Sequence, residues 1–371
     1  MLTLRTFGAA AWIAGSGPAM TKQKQAMISF THDVPAQRVV FAAGALSRVA
    51  EEAERLNLSR ALVVATPGSG VRLGRKVVDL LGARSAGLHA QAVLHVPKSV
   101  AALGVEAARS AKADGLVAVG GGAAIGLAKV IARDTGLVIL AVPTTYSGSE
   151  ATPIFGLTDG ERKITGRDAK VLPRTVIYDP DLTLGLPATV SAASGMNAIA
   201  HCVEAFWADG RTPVTVGLAS EAMRRFGKNL AAVVANGADV AARAECLVGA
   251  WLAGTVLAAG TGLHHKLAHV LGGLGLPHAE THAIILPHVM RFNLVAAPEA
   301  KARLGEALGS GDPADAIAAM LHKFPIPQRL RDVGFDRGKI DFAAGEIVAA
   351  KITSPRPASA DDVRALLAAA Y

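Results

Sequence analysis

VAVGGGAAIGLAKVIA, residues 117–132, runs an apolar stretch into three glycines and then into an Ala/Leu/Ile pattern of helical period. A strand, a tight turn and a helix in that order are the unit from which parallel α/β sheets are built. Glycines at such a turn let the backbone approach a pyrophosphate, and the helix N-terminus offers free N–H groups at the positive end of its dipole. Gly121, Gly122 and Ala123 are therefore candidate cofactor contacts. The spacing is not the GxGxxG fingerprint, so a plain βα turn remains the alternative on this stretch alone.

Outward from this unit the same rhythm repeats. RVVFA (38–42), ALVVA (61–65), QAVLHV (91–96), GLVILAV (136–142) and RTVIYD (174–179) read as strands, separated by helical segments such as ALSRVAEEAERLN and SVAALGVEAARSAKA. Asp159-Gly160 reads as a hairpin turn, a small antiparallel excursion from the sheet. After DPDLTLGLP the β-branched runs stop and long Ala/Leu-rich helices follow. The expected architecture is a Rossmann-like α/β domain with a mostly parallel sheet over 27–187 and an all-helical domain over 188–371. Residues 1–26 form a poor imitation of a signal peptide and are expected to be a disordered or non-native extension ahead of a start at Met20 or Met27.

Composition narrows the function. The chain has 371 residues, 51% of them hydrophobic and 4% aromatic, enough for two packed domains. Net charge is +8, yet the 38 Lys and Arg are dispersed and no aromatics interleave with a basic cluster, so nucleic acid is not an expected partner. Cys202 and Cys246 make no disulfide framework or CxxC metal motif, which points to a reducing, cytoplasmic compartment. The uncharged run from Leu247 to Leu263 is diluted by Gly, Ala and Thr and is short for a span, so a buried helix rather than a membrane segment is expected.

Two further stretches carry chemistry. In AVPTTYSGSEAT (141–152), six hydroxyl side chains lie between Thr144 and Thr152, just past a strand end. That end faces the ligand crevice in open α/β sheets, which makes Thr144, Thr145 and Ser147 candidates for the cofactor, although a loop capping the next element would look alike. The other is GLHHKLAHVLGGLGLPHAETH (262–282), with five of the chain's eleven histidines, and its upstream companion SGMNAIAHCVEAF (194–206). Asn197 and His201 stand four apart, as do His265 and His269, so each pair shares a helical face, and His278 follows a Gly-rich turn. A convergent polar site is the expectation.

GGG at 120–122, PTT and GSE within 143–150, DPDLT at 179–183, GMNAIAHCVEA at 195–205, HHKLAH at 264–269 and LPHVMRFN at 286–293 together resemble the iron-containing alcohol dehydrogenase superfamily, from about Phe30 to the C-terminus. The resemblance implies that family's fold, shared with dehydroquinate synthases, a nicotinamide cofactor and usually a homodimer. In its metal-dependent members an Asp and three histidines hold a divalent cation. Those positions here are Asn197, His201, His265 and His278, while His269 matches the histidine beside the nicotinamide. The acid is replaced by Asn197. The Gly-rich loop departs too, with Ala123 for Ser and Gly126 for Asp, and PTTYSGSE is one residue shorter than the common PTTxGTGSE.

With THDVPAQRVVF, TGRDAKVLPRTVIYDP and LPHAETHA, these departures resemble the maleylacetate reductase branch. That branch implies reduction of the carbon–carbon double bond of a dianion, maleylacetate, by NADH or NADPH. It also carries Thr66, Lys163 and Leu182 to the cofactor side, and leaves no resident metal expected. Lys266 and Arg167 are the candidate cations for the two carboxylates. The proton donor is expected to be His265 or His269, with Tyr146 behind them. A metal-dependent alcohol dehydrogenase is the nearest alternative; a lyase of the dehydroquinate synthase type and a non-catalytic nucleotide sensor are the others.

Overall fold

The structure is a computed structural model that describes residues 29–160, 162–350 and 352–371; the expected N-terminal extension, 1–26, lies outside the described residues. Met1–His32 is a unit of its own, of which 29–32 carry no regular structure, and Asp33–Tyr371 is the other.

The described residues form eight strands: β1 Arg38–Phe41, β2 Ala61–Val64, β3 Ser85–His89, β4 Gly115–Gly120, β5 Val138–Pro143, β6 Ile154–Asp159, β7 Arg162–Arg167 and β8 Thr175–Tyr178. Six of them make one parallel sheet in the order β1-β8-β5-β4-β2-β3. The remaining two, β6 and β7, form the antiparallel hairpin, turning at Gly160 with φ of 61°. One expectation fails. QAVLHV is not a strand; SAGLH just before it is, and QAVLHV forms the turn that follows. Its apolar run matched a buried strand, but Leu94 and His95 are exposed, so burial does not reward extension there.

Helices α1 Val49–Arg55, α2 Ser69–Leu81, α3 Lys98–Ser110 and α4 Gly122–Thr135 connect the strands. Alternation along each strand sorts side chains between two faces. Val117 and Val119 of β4, with Leu140 and Val142 of β5, join the core under α1 and α2. Leu116, Ala118, Ile139 and Ala141 join the opposite core with α3 and α4. Since α2 leaves β2 toward β3 on one face and α4 leaves β4 toward β5 on the other, neighbouring β2 and β4 mark the point where the winding reverses. A crevice opens at the carboxyl ends of such a strand pair.

The rest is helical: α5 Ala188–Ala205, α6 Pro213–Ala235, α7 Val240–Val256, α8 Leu263–Gly273, α9 His278–Leu294, α10 Pro298–Leu308, α11 Pro313–His322, α12 Ile340–Ala349 and α13 Ala360–Ala370. The core beside α4 runs on into α5, α6 and α7, and a separate cluster joins α8, α9, α12 and α13. Val240–Ala259 is long and apolar enough to cross a membrane by composition. Within the fold it is a core helix: buried Arg243 bonds the Tyr146 hydroxyl at 3.2 Å, the Leu186 carbonyl at 3.2 Å and the Gly237 carbonyl at 2.6 Å.

Candidate active site

The Gly-rich turn and the hydroxyl loop meet at the crevice. Gly120 and Pro143 are register partners at the ends of β4 and β5, and the Thr144 N–H donates to the Gly120 carbonyl at 3.1 Å. A Cβ on Gly121 would stand 2.7 Å from Thr145 Cγ2, so only glycine lets the two segments lie this close. No side chain caps α4 behind Gly121, which leaves the N–H groups of Gly122 and Ala123 to a ligand. Thr66 follows β2 on the other side of the crevice, half-buried, as are Thr144, Thr145 and Ser147. Leu182 lies in the turn Pro180–Thr183, half-buried against the core under α1 and α2. The Lys163 side chain lies outside the described residues; its backbone pairs with Thr158 in the hairpin.

From this crevice the hydroxyl loop leads to α5. The Tyr146 N–H donates to Ser194 Oγ at 3.4 Å, and Asn197 and His201 follow on the next two turns of that helix. Gly148, at φ of 71°, passes so near α7 that a Cβ would meet the Ala250 carbonyl oxygen at 2.8 Å.

Glu204, one turn beyond His201, organises the histidines. Fully buried, its carboxylate accepts from the Gly262 N–H at 2.9 Å, the His264 N–H at 2.8 Å and His265 Nδ1 at 2.6 Å. A carboxylate at a helix N-terminus is favoured by the dipole, so one side chain both caps α8 and fixes the His265 ring. Because a carboxylate only accepts, Nδ1 is the donor in this pair. His264 Nε2 donates to the His282 carbonyl at 3.0 Å.

Around His265 the rings crowd together. His201 stacks on it at 5.0 Å between centroids, His282 meets it edge-on at 4.7 Å, and His269 lies at 6.4 Å. His278 is 4.4 Å from His282 and 6.0 Å from His269. Burial holds His201 and His282 well below the ordinary value of 6.5, with His265 reinforcing the first and His278 the second. His264 is lowered to about 4, again mainly by burial. These three imidazoles are neutral at pH 7.

The remaining candidates fall elsewhere. Tyr146 is not an acid for this site: fully buried, with its hydroxyl against Arg243, it is raised by desolvation to about 12. Lys266 is exposed, 100° round α8 from His265, as its place one residue along the helix requires. The Arg167 guanidinium donates to the Ala258 carbonyl at 3.0 Å, tying the hairpin to the turn after α7 rather than joining the imidazoles. Sequence reasoning gave no role to Glu204, His264 or His282. The signals were present: a carboxylate three residues after His201, a histidine doublet, and a histidine four residues after His278.

Could these residues hold a cation? His264, His265 and His282 each present a nitrogen, and the three lie within 4.8 Å of one another, all buried. Among the described residues His264 Nδ1, both His282 nitrogens, His201 Nδ1 and Asn197 Oδ1 find no hydrogen-bond partner. Such a donor set fits a borderline cation of the zinc type. It lacks the anionic oxygen ligand of the resembled iron site, because Asn197 is neutral and the Glu204 carboxylate is spent on three hydrogen bonds.

A family model for iron-containing alcohol dehydrogenase matches residues 36–180, and one for the C-terminal part of the iron-containing alcohol dehydrogenase family matches 191–371. The chain belongs to the iron-containing alcohol dehydrogenase family. Within that family it is similar to maleylacetate reductases. It is 45% identical to one from Burkholderia cepacia over 93% of this chain and 98% of that one. It is 48% identical to maleylacetate reductase 2 of Cupriavidus pinatubonensis over 90% and 94%. Among solved structures, a maleylacetate reductase from Agrobacterium tumefaciens superimposes with a TM-score of 0.89 at 42% identity, covering 93% of this chain and 99% of that one.

Proposed function

We propose that this iron-containing alcohol dehydrogenase family member is a maleylacetate reductase, reducing the carbon–carbon double bond of maleylacetate to 3-oxoadipate with NADH or NADPH. The observation that carries the reading is Asn197 at the acidic ligand position of a histidine cluster whose relatives bear that name. Hydride leaves the nicotinamide and forms a C–H bond at the carbon β to the ketone. The π pair shifts toward the carbonyl as an enolate, and a proton completes the α-carbon, leaving NAD(P)⁺. An enolate shares its charge over carbon and oxygen, so hydrogen-bond donors can stabilise it where a localised alkoxide calls for a cation.

The side chains have roles to match. Asn197 brings a neutral donor where a carboxylate would repel a dianion. His265, held by Glu204, and His269 are the proton donors; Glu204 stabilises the imidazolium that donation requires, as the buried carboxylate of a catalytic triad does. The carboxyl ends of β2, β4 and β5 bind the cofactor through Thr66, Gly121, Gly122, Ala123, Thr144, Thr145 and Ser147, with Lys163 and Leu182 at its margins. With Thr66 rather than an acid at the ribose position, NADH and NADPH are both accepted. No resident metal is required; a cation bound by His264, His265 and His282 would supply Lewis-acid polarisation of the ketone. The enzyme is cytoplasmic, in keeping with two buried free thiols, and a homodimer, as the family resemblance implies. It takes neither nucleic acid nor membrane as a partner.

The test is purified protein with maleylacetate and each nicotinamide in turn. Loss of nicotinamide absorbance with 3-oxoadipate as product is expected; turnover of simple alcohols or aldehydes and none of maleylacetate would make it an alcohol dehydrogenase.

A further inference from the structure

His95 is a histidine no motif assigned. It sits in the turn between β3 and α3, and its ring meets His278 edge-on, 6.2 Å between centroids at 84°. Through His278 it adjoins His269 and His282. The α/β half thus sends an imidazole across to a cluster otherwise built on helices. Its backbone is unusual as well. His95 at φ of 63° and Val96 at 43° are both left-handed, a conformation costly for a β-branched residue.

That conformation is held from two sides. Thr158 of β6 donates through its N–H to the Val96 carbonyl at 3.1 Å and through its hydroxyl to the His95 carbonyl at 3.0 Å. On the other side Val96 is buried over α4 at Gly126, where a Cβ would stand 3.1 Å from Val96 Cγ2. Gly126 is where the resembled motif carries Asp, so the missing side chain makes the seat for Val96, and that seat aims His95.

A dianionic substrate at these imidazoles needs donors for two carboxylates, while Lys266 is exposed on α8 and the Arg167 guanidinium is bonded to the Ala258 carbonyl. We propose that His95 is a substrate-binding residue, donating an N–H to one carboxylate of the dianion, and that Gly126 positions it through Val96. This rests on the reductase reading above.

The experiment measures binding rather than turnover. Dissociation constants are read from NADH fluorescence for 3-oxoadipate and for the two six-carbon keto acids that each lack one of its carboxylates. His95→Ala is expected to weaken 3-oxoadipate and one monoacid about tenfold, to leave the other monoacid unchanged, and to be largely restored in His95→Gln. Gly126→Ala shifts the same two ligands in the same direction without changing NADH affinity. Unchanged constants in His95→Ala, equal weakening of all three ligands, or no recovery with Gln would overturn the role of His95. An unaffected Gly126→Ala would overturn the seat. Wild-type protein that binds 3-oxoadipate yet fails to reduce maleylacetate would sink the reductase reading alone.

Discussion

Residue by residue, Asn197, Glu204 and Tyr146 set the chemistry of the site and its surroundings. Asn197→Asp restores the acid of the metal-dependent pattern. It is expected to raise bound divalent metal toward one per chain in elemental analysis while lowering kcat/KM for maleylacetate by about tenfold or more, through repulsion of the dianion. A variant that gains no metal would remove the link between this position and cation binding. Glu204→Gln keeps the shape but leaves His265 without its carboxylate, so kcat/KM should fall by roughly 10- to 100-fold with the fold retained by circular dichroism. Tyr146→Phe is the converse. Losing the hydroxyl beside Arg243 costs about 1–3 kcal/mol in urea unfolding, and kcat should barely change. The imidazoles' grouping was legible in the 3.6-residue spacing of Asn197 with His201 and His265 with His269. Glu204's role was not, since its partners lie about sixty residues on at Gly262, His264 and His265, and spacing speaks only for neighbours along one helix.

At the scale of elements, the βα turn at Gly120–Gly122 sets both the sheet's winding and the cofactor's seat. Gly121→Ala forces its Cβ against Thr145, and the NADH dissociation constant, followed by fluorescence, should rise about tenfold with little change in thermal stability. Unchanged cofactor affinity would place the dinucleotide elsewhere. The strands β4 and β5, the Asp159-Gly160 hairpin and the onset of helix after Pro187 could all be read from local pattern, because short apolar runs, a turn dipeptide and a helical period each act on near neighbours. QAVLHV could not. Its composition suits a strand, and only the tertiary seat at Gly126 and the tie to Thr158 make it a turn. Tyr146 misled for a related reason: hydroxyls at a strand end face the crevice as a rule, but its neighbour on α7, Arg243, draws this one inward.

For the whole molecule, the cost of the site is a core of neutral imidazoles. His201, His264 and His282 take up a proton more readily unfolded than folded, so their contribution to stability is full above pH 6.5 and is lost as pH falls toward the folded values, about 4 for His264. For His264 alone this is on the order of 3 kcal/mol. Urea midpoints should be level from pH 8 to 7 and drop between 6.5 and 4, and His264→Gln should shallow that drop; identical slopes would show that the imidazoles do not govern it. At position 197 these histidines have an amide where the resembled metal site has an acid. The decisive measurement is maleylacetate reduction by NADH in protein stripped with chelator and verified metal-free by elemental analysis. Undiminished turnover is predicted. Turnover that vanishes on stripping and returns only with Zn²⁺ or Fe²⁺ would mean that the cluster works as a metal site, and would contradict the account.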